Sequence, residues 1–323
     1  MGKQIITVTG PVAPGNLGHC HSHEHLWIDD GPSAKCDPNL RIDDFGRTLQ
    51  ELRTFRAAGG SAIVDAQPVG CGRDPQMLHH LSRDSGVYII ASTGFHMRRF
   101  YPEDSRIFSL SAAEARALFE QELNEGMYIG PDEAYDRQTT SIRAGIIKCA
   151  LDIPERFPLY HALFEGAVAA ARFTGAPVLL HSEKGADLPA FLTYMQALGL
   201  PMEQLIVCHL DRTHPDLDLH VQVGWAGAYL EYDTIARYKY HDDRREYAIL
   251  THMVRAGLTD KILIGQDSTR ARMASYGGQP GLDFILRRFR TDPLAAECGL
   301  TASNFHAFLV ENPARAFCRR ATD

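Results

Sequence analysis

Short apolar runs alternate with longer amphipathic stretches from one end of the chain to the other. Eight runs read as strands, at residues 18–25, 61–67, 87–93, 144–150, 177–181, 205–209, 227–232 and 262–266. Several are apolar without a break, as in Val87-Tyr88-Ile89-Ile90-Ala91. That is the pattern of a strand covered on both faces, and so of a parallel sheet. The stretches between them carry helical spacing. Residues 44–57 run up to Gly59-Gly60, residues 159–174 stop at Gly175 and residues 242–256 stop at Gly257, all C-terminal stop signals. Residues 111–125 open with Ser111 and Glu114, spaced as a capping box. Eight strands separated by helices predict a (β/α)8 TIM barrel, in a single domain over residues 1–323. An open doubly wound sheet is the alternative, but the glycine-rich phosphate-binding signatures that usually accompany it are missing. Residues 4–12 are expected to add a small strand or hairpin outside the barrel.

Composition narrows the class. The 323 residues are 45% hydrophobic and 23% charged, with a net charge of −7, ordinary values for a soluble globular protein. An acidic balance without any basic block speaks against a nucleic-acid partner. No run of about 18 apolar residues is present to span a membrane. The first residues carry one lysine and no long apolar core, so they do not read as a secretory signal. Ile6 stands where a myristoylation pattern wants Ser or Thr. The seven cysteines are odd in number and scattered, which predicts reduced thiols in a cytoplasm. Cys149 and Cys208 fall in apolar strands, where free cysteine acts as a small hydrophobe.

In a barrel of this type the active site lies at the C-terminal ends of the strands, and the polar residues there are unusual. The first strand ends in His19-Cys20-His21-Ser22-His23-Glu24-His25. Side chains two apart on a strand share a face, so His23 and His25 can aim two imidazoles at one metal. His19 and His21 have the same parity, and parity alone does not choose between the pairs. The fourth strand carries Lys148 inside an apolar run, where a lone charge must be paired or chemically altered. The fifth ends in His181, the sixth in His209 followed by Asp211, and the eighth is followed by Asp267. His96, just beyond the third strand, is also expected to face the mouth. The other histidines fall in helices or loops.

Taken together, these residues resemble the phosphotriesterase family of the amidohydrolase superfamily, from about residue 14 to Phe317. The local runs carrying the resemblance are Leu17-Gly18, Ser22-His23-Glu24-His25, Ala144-Gly145-Ile146-Ile147-Lys148, Val207-Cys208-His209-Leu210-Asp211-Arg212 and Asn312-Pro313-Ala314-Arg315-Ala316-Phe317. The resemblance implies a site for two divalent metal ions, zinc first, with manganese, cobalt or iron as alternatives. One metal would take His23, His25 and Asp267, the other His181 and His209. Lys148 would bridge both as its carbon dioxide adduct, a carbamate. A metal-bridging hydroxide would attack the substrate, and Asp267 would shuttle its proton to the leaving group.

Substrate choice, by the same resemblance, lies in the loops after the last strands. The loop from Glu231 to Tyr240 and the loop from Asp267 to Asp283 are similar to the sugar-lactonase branch, particularly enzymes acting on phosphorylated furanose lactones. The implied activity is metal-dependent opening of a phosphorylated or otherwise anionic 1,4-lactone. His96, Arg212, Arg237, Lys239, Arg270, Arg272 and Tyr276 would surround that substrate; guanidinium forks suit phosphate and carboxylate. Loop arginines also pair with neighbouring aspartates, which is the competing reading of each one. A phosphotriesterase or an N-acyl-homoserine lactonase is the alternative, disfavoured by the polarity of both loops. A non-catalytic binding barrel is more remote, because every expected ligand position is filled. The expected partner is a small-molecule lactone, with neither nucleic acid nor membrane, and a homodimer is left open.

Overall fold

The computed structural model describes residues 3–130 and 138–320. The antiparallel hairpin β1 (Ile5–Thr7) and β2 (Gly10–Val12) comes first. Eight parallel strands follow: β3 (His19–Glu24), β4 (Gly60–Asp65), β5 (Tyr88–Gly94), β6 (Ile146–Leu151), β7 (Val178–Ser182), β8 (Leu205–Cys208), β9 (Tyr229–Tyr232) and β10 (Ile262–Ile264). Each strand pairs with the next in chain order, which is the topology of a (β/α)8 TIM barrel. Every expected strand is present, with ends within two residues of the sequence reading.

The helices follow their caps. The helix Phe45–Ala57 starts where the Asp44 side chain accepts from the Arg47 N–H. The helix Ala112–Asn124 has the Ser111/Glu114 capping box, and Phe157–Thr174 ends on Gly175 in the left-handed region. None of the described helices is long and apolar enough to cross a membrane.

Strand alternation sorts the core into two bodies. Cys20, Ala62, Val64, Ile90, Ile146, Leu179, Ile206, Cys208 and Leu263 fill the barrel interior. Their neighbours Ile63, Ile89, Ile147, Leu180, Val207, Leu230 and Ile264 face the helices. The hairpin closes the lower end: Ile5 joins the interior cluster with Leu17 and Phe317, and the Val8 N–H donates to the Ile89 carbonyl at 2.9 Å. Lys148 and His181 occupy the inward positions above Ile146 and Leu179.

The two outer strands, β3 and β10, meet without a regular ladder. Three features join them. The Asp267 N–H donates to the His23 carbonyl at 3.0 Å. The Glu24 carboxylate accepts from Gln266 N–H at 3.0 Å and Ser268 N–H at 2.9 Å, and lies 2.9 Å from His21 Nδ1. Gly265 brings the backbones together: a Cβ there would sit 3.0 Å from both the N and the O of His23. Gly265→Ala is therefore expected to cost about 2 kcal/mol of stability. Glu24→Gln, which sets an amide N–H2 against a backbone donor, is expected to cost about 2–3 kcal/mol. Urea unfolding of both variants checks this, and unchanged midpoints would remove the seam from the account.

Candidate metal centre

The first strand does not keep simple alternation. Its register against β4 shifts between His21 and Glu24. Before the shift Cys20 faces the interior and His21 points outward, its ring 4.8 Å from that of Phe55. After it, His23 and His25 face inward and Glu24 outward. The extra residue of a bulge re-aims the side chains beyond it. It thereby decides what parity left open. His19 lies apart, with Nδ1 3.2 Å from the Gly59 carbonyl and Nε2 3.1 Å from Arg290.

His23, His25, Lys148, His181, His209 and Asp267 converge at the mouth. One donor atom from each of His23, His25 and Asp267 falls within 4.8 Å of the others, a grouping able to hold a cation. Asp267 Oδ1 is 3.3 Å from His25 Nε2 and 3.8 Å from His23 Nε2. The His209 ring lies 4.6 Å from His181 and 4.9 Å from His23, centroid to centroid. Lys148 Nζ is 3.3 Å from His23 Nε2, and no carboxylate among the described residues pairs with it. Strand ends alone do not deliver this convergence. His209 and Asp267 adopt positive φ, 64° and 46°, and Ala236 at 59° is the one other described non-glycine residue to do so. All three line or flank the mouth, where strained backbone collects in functional sites.

Two buried carboxylates beneath the imidazoles were not singled out in the sequence. Glu231 Oε2 is 2.7 Å from His23 Nδ1, and Asp233 Oδ1 is 2.7 Å from His209 Nδ1. Each fixes its imidazole with Nε2 toward the centre, the arrangement that orients metal-binding histidines. The signal was present: Tyr229-Leu230-Glu231-Tyr232-Asp233 places two acids on the inward face of an otherwise apolar strand. Glu231→Gln and Asp233→Asn are expected to weaken divalent-metal retention about 10- to 100-fold, read by metal content after dialysis against a competing chelator. Equal retention in wild type and variants would deny both residues that orienting role.

Electrostatics keep the set ready to ligate. Burial, reinforced by Lys148 for His23 and by Arg212 for His209, holds both imidazoles well below the usual histidine range. Burial lowers His181 as well, although Glu183 opposes it. These rings are neutral at pH 7, as ligands must be. Burial pushes the Asp267 carboxyl up, but Arg237 and Arg212, then His25 and His23, together hold it well below the carboxylate range. The donor set of four imidazoles, one carboxylate and one lysine fits divalent metals. The buried Nε2 of His181 lacks a hydrogen-bond partner among the described residues, which supports the fit.

Above this floor is a cavity of about 420 Å³. His96, Arg212, Arg237 and Tyr240 line it, together with Arg99, Phe100 and Glu183, which the sequence did not single out. His96 stands between the His181 and Phe100 rings, with centroids 5.1 Å and 4.5 Å away. Arg212 reaches Asp267 Oδ2 at 2.8 Å and Asp233 Oδ1 at 3.2 Å, and Arg237 reaches Asp267 Oδ2 at 3.2 Å. The remaining expected contacts are placed elsewhere. Arg272 is buried and donates to the carbonyls of Ala236 at 3.0 Å and Ile235 at 2.6 Å, tying one loop to the other. The Tyr276 hydroxyl is 2.8 Å from Thr48 Oγ1 and donates to the Asp44 carbonyl at 2.9 Å. Arg270 stacks over the Tyr276 ring, and Lys239 is exposed against Tyr240.

The comparisons with known proteins agree with this geometry. The model of the phosphotriesterase family matches residues 3–317. The human (Homo sapiens) N-acetyltaurine hydrolase is 27% identical, with 97% of each chain covered. A solved lactonase from Listeria monocytogenes superposes with a TM-score of 0.90 at 25% identity, covering 98% of this chain and 100% of its own. The phosphotriesterase homology protein of Escherichia coli, solved with phosphate in its active site, gives 0.82 at 26% identity, covering 94% and 99%. With a family match across nearly the whole sequence and the metal-ligating residue types gathered at the barrel mouth, the chain belongs to the phosphotriesterase family, whose members are metal-dependent hydrolases.

Proposed function

We propose that the protein is a binuclear metal-dependent lactonase that opens a small, anionic sugar lactone, phosphorylated or carboxylated. The observation that carries this reading is the pairing of a metal-ligating floor with a polar cavity whose walls include Arg99, Arg212 and Arg237. His23, His25 and Asp267 would hold one ion and His181 and His209 the other, with Lys148 bridging as its carbamate. A carbamate turns a buried ammonium without a counter-ion into an anion with two donor oxygens, which removes the cost of burying that charge unpaired. Two divalent ions there would lower the pKa of bound water and polarise the substrate carbonyl. Asp267, ionised at neutral pH, would accept the proton released on attack and return it to the leaving alkoxide. Arg212 and Arg237 both touch Asp267, so they hold its carboxylate in position as well as facing the cavity. Among the described residues, Phe100 and Leu40, with Cys36 and the Tyr240 ring, supply the apolar wall, too little to seat a long acyl chain or an aryl ester.

A second reading has a specific basis: the N-acetyltaurine hydrolase likeness spans 97% of the chain. That substrate is also a compact anion, and its amide carbonyl would meet the same centre.

The test is a hydrolysis panel with the metal-loaded protein: 1,4-lactones of pentonates and hexonates, their 5-phosphates, N-acetyltaurine, an acyl-homoserine lactone and an aryl organophosphate. Highest kcat/KM is expected on an anionic lactone. Turnover of N-acetyltaurine alone would replace the lactone reading with the amide one. Asp267→Asn is expected to lower kcat about 10³-fold; near-normal turnover in that variant would overturn the proton-transfer role.

A further inference from the structure

Loop 7, between β9 and the helix Asp243–Arg255, carries Arg237 and Tyr240 into the catalytic cavity. Behind it lies a second cluster of ligating side chains. Asp211 follows the end of β8, His241 closes the loop, and Glu246 sits in the first turns of the helix. One donor atom from each falls within 4.8 Å of the others. A cavity of about 230 Å³, lined by Asp211, His241 and Arg245, opens beside them.

The charge there is unbalanced. Glu246 is buried, and its Oε1 makes no hydrogen bond with any described residue. Its other oxygen lies 2.5 Å from His241 Nε2. Asp211 accepts one bond on each oxygen, from the Thr234 N–H at 2.7 Å and the Thr234 hydroxyl at 2.8 Å, leaving a lone pair on each. Asp233 and Asp243 add to the negative field around Glu246, and Arg212, set against Asp211, is already shared with Asp233 and Asp267. The cationic partners of this buried pair are an imidazole, charged only when protonated, and a guanidinium shared three ways, so a bound cation or a proton between the carboxylates would stabilise it.

We propose that Asp211, His241 and Glu246 form a further divalent-cation site, separate from the central one, which fastens loop 7 to the end of β8 and to the following helix. One imidazole and two carboxylates suit zinc or manganese better than calcium, which takes six to eight oxygens. The cation would fix the loop that presents Arg237 and Tyr240, and so would act on substrate binding without touching the reacting atoms.

The experiment is metal counting. Wild type, Glu246→Gln and His241→Gln are stripped with a chelator, reloaded with zinc, dialysed and analysed by mass spectrometry of the bound metal. Both variants are expected to retain one zinc ion fewer per chain than wild type. His241 lies nearer the surface, so its variant keeps the test valid if Glu246→Gln folds poorly. Equal counts in wild type and a folded variant would overturn the site and leave a protonated His241 paired with Glu246, or a proton shared between Asp211 and Glu246. The readout is a difference between proteins, so it stands whatever the central pocket binds.

Discussion

A parallel sheet of eight strands leaves a row of unpaired backbone groups on each outer strand, and here the two rows meet where Glu24 and Gly265 join β3 to β10. That closure sets the distance across the mouth. His23 and His25 belong to one side of the seam and Asp267 to the other. The bond from the Asp267 N–H to the His23 carbonyl ties their backbones directly. A carboxylate accepting two backbone N–H groups makes charge-assisted bonds, roughly twice as strong as neutral ones. Glu24 thus lies in the middle of the most conspicuous histidine run of the chain yet faces away from the cavity. Its place between two inward imidazoles follows from what it does: it anchors the short segment that carries them.

The same logic explains the second layer. Neutral imidazoles rotate unless their second nitrogen is held. Glu231 on β9 and Asp233 just beyond its end hold His23 and His209 from below. The carboxylates are buried, so their cost is offset only by what surrounds them. Arg212 links Asp233 to Asp267 and makes one electrostatic unit of the segments that follow β8, β9 and β10. A change at any one of them is felt at the others, and single substitutions there should be non-additive.

Much of this was legible in the sequence, for definite reasons. Buried parallel strands announce themselves as unbroken apolar runs, and helix ends such as Ser111 and Gly175 carry local signals that require no tertiary knowledge. The inward-facing polar residues stood out because Lys148 and Asp267 are costly in apolar strands. The bulge was not legible. It depends on the register between β3 and β4, a non-local property, and without it His21 has the same claim as His23. The loop cations were the hardest to place. Arg212 and Arg272 are both arginines in polar loops close to the mouth, but one faces the cavity and the other is consumed by two carbonyls. Which donor is spent on backbone depends on how two loops pack, and residue type carries no record of it. Arg99 and Glu183 went unselected for the converse reason, since neither sits in a run that looks unusual.

The charge at the mouth also bears on the class of substrate. Without cations, Asp267 and Asp233 stand against Arg212, Arg237 and Lys148, burial and Asp233 push the Glu231 carboxyl well above the carboxylate range, and the guanidiniums are occupied by the acids. On the proposed reading the balance changes. Lysine would become an anion, so three carboxylates, a carbamate and the metal-bound hydroxide would face two guanidiniums and two dications, with an excess of one positive charge. Metal binding would also draw Asp267 toward the ions and loosen the hold of Arg212 and Arg237, freeing donors over the cavity. A neutral substrate would gain little from that excess, whereas an anion would gain in the low dielectric of a narrow cavity. The preference for anions would then be a property of the loaded centre rather than of any one arginine. It follows that removing one guanidinium should weaken anion binding less than removing the metals does.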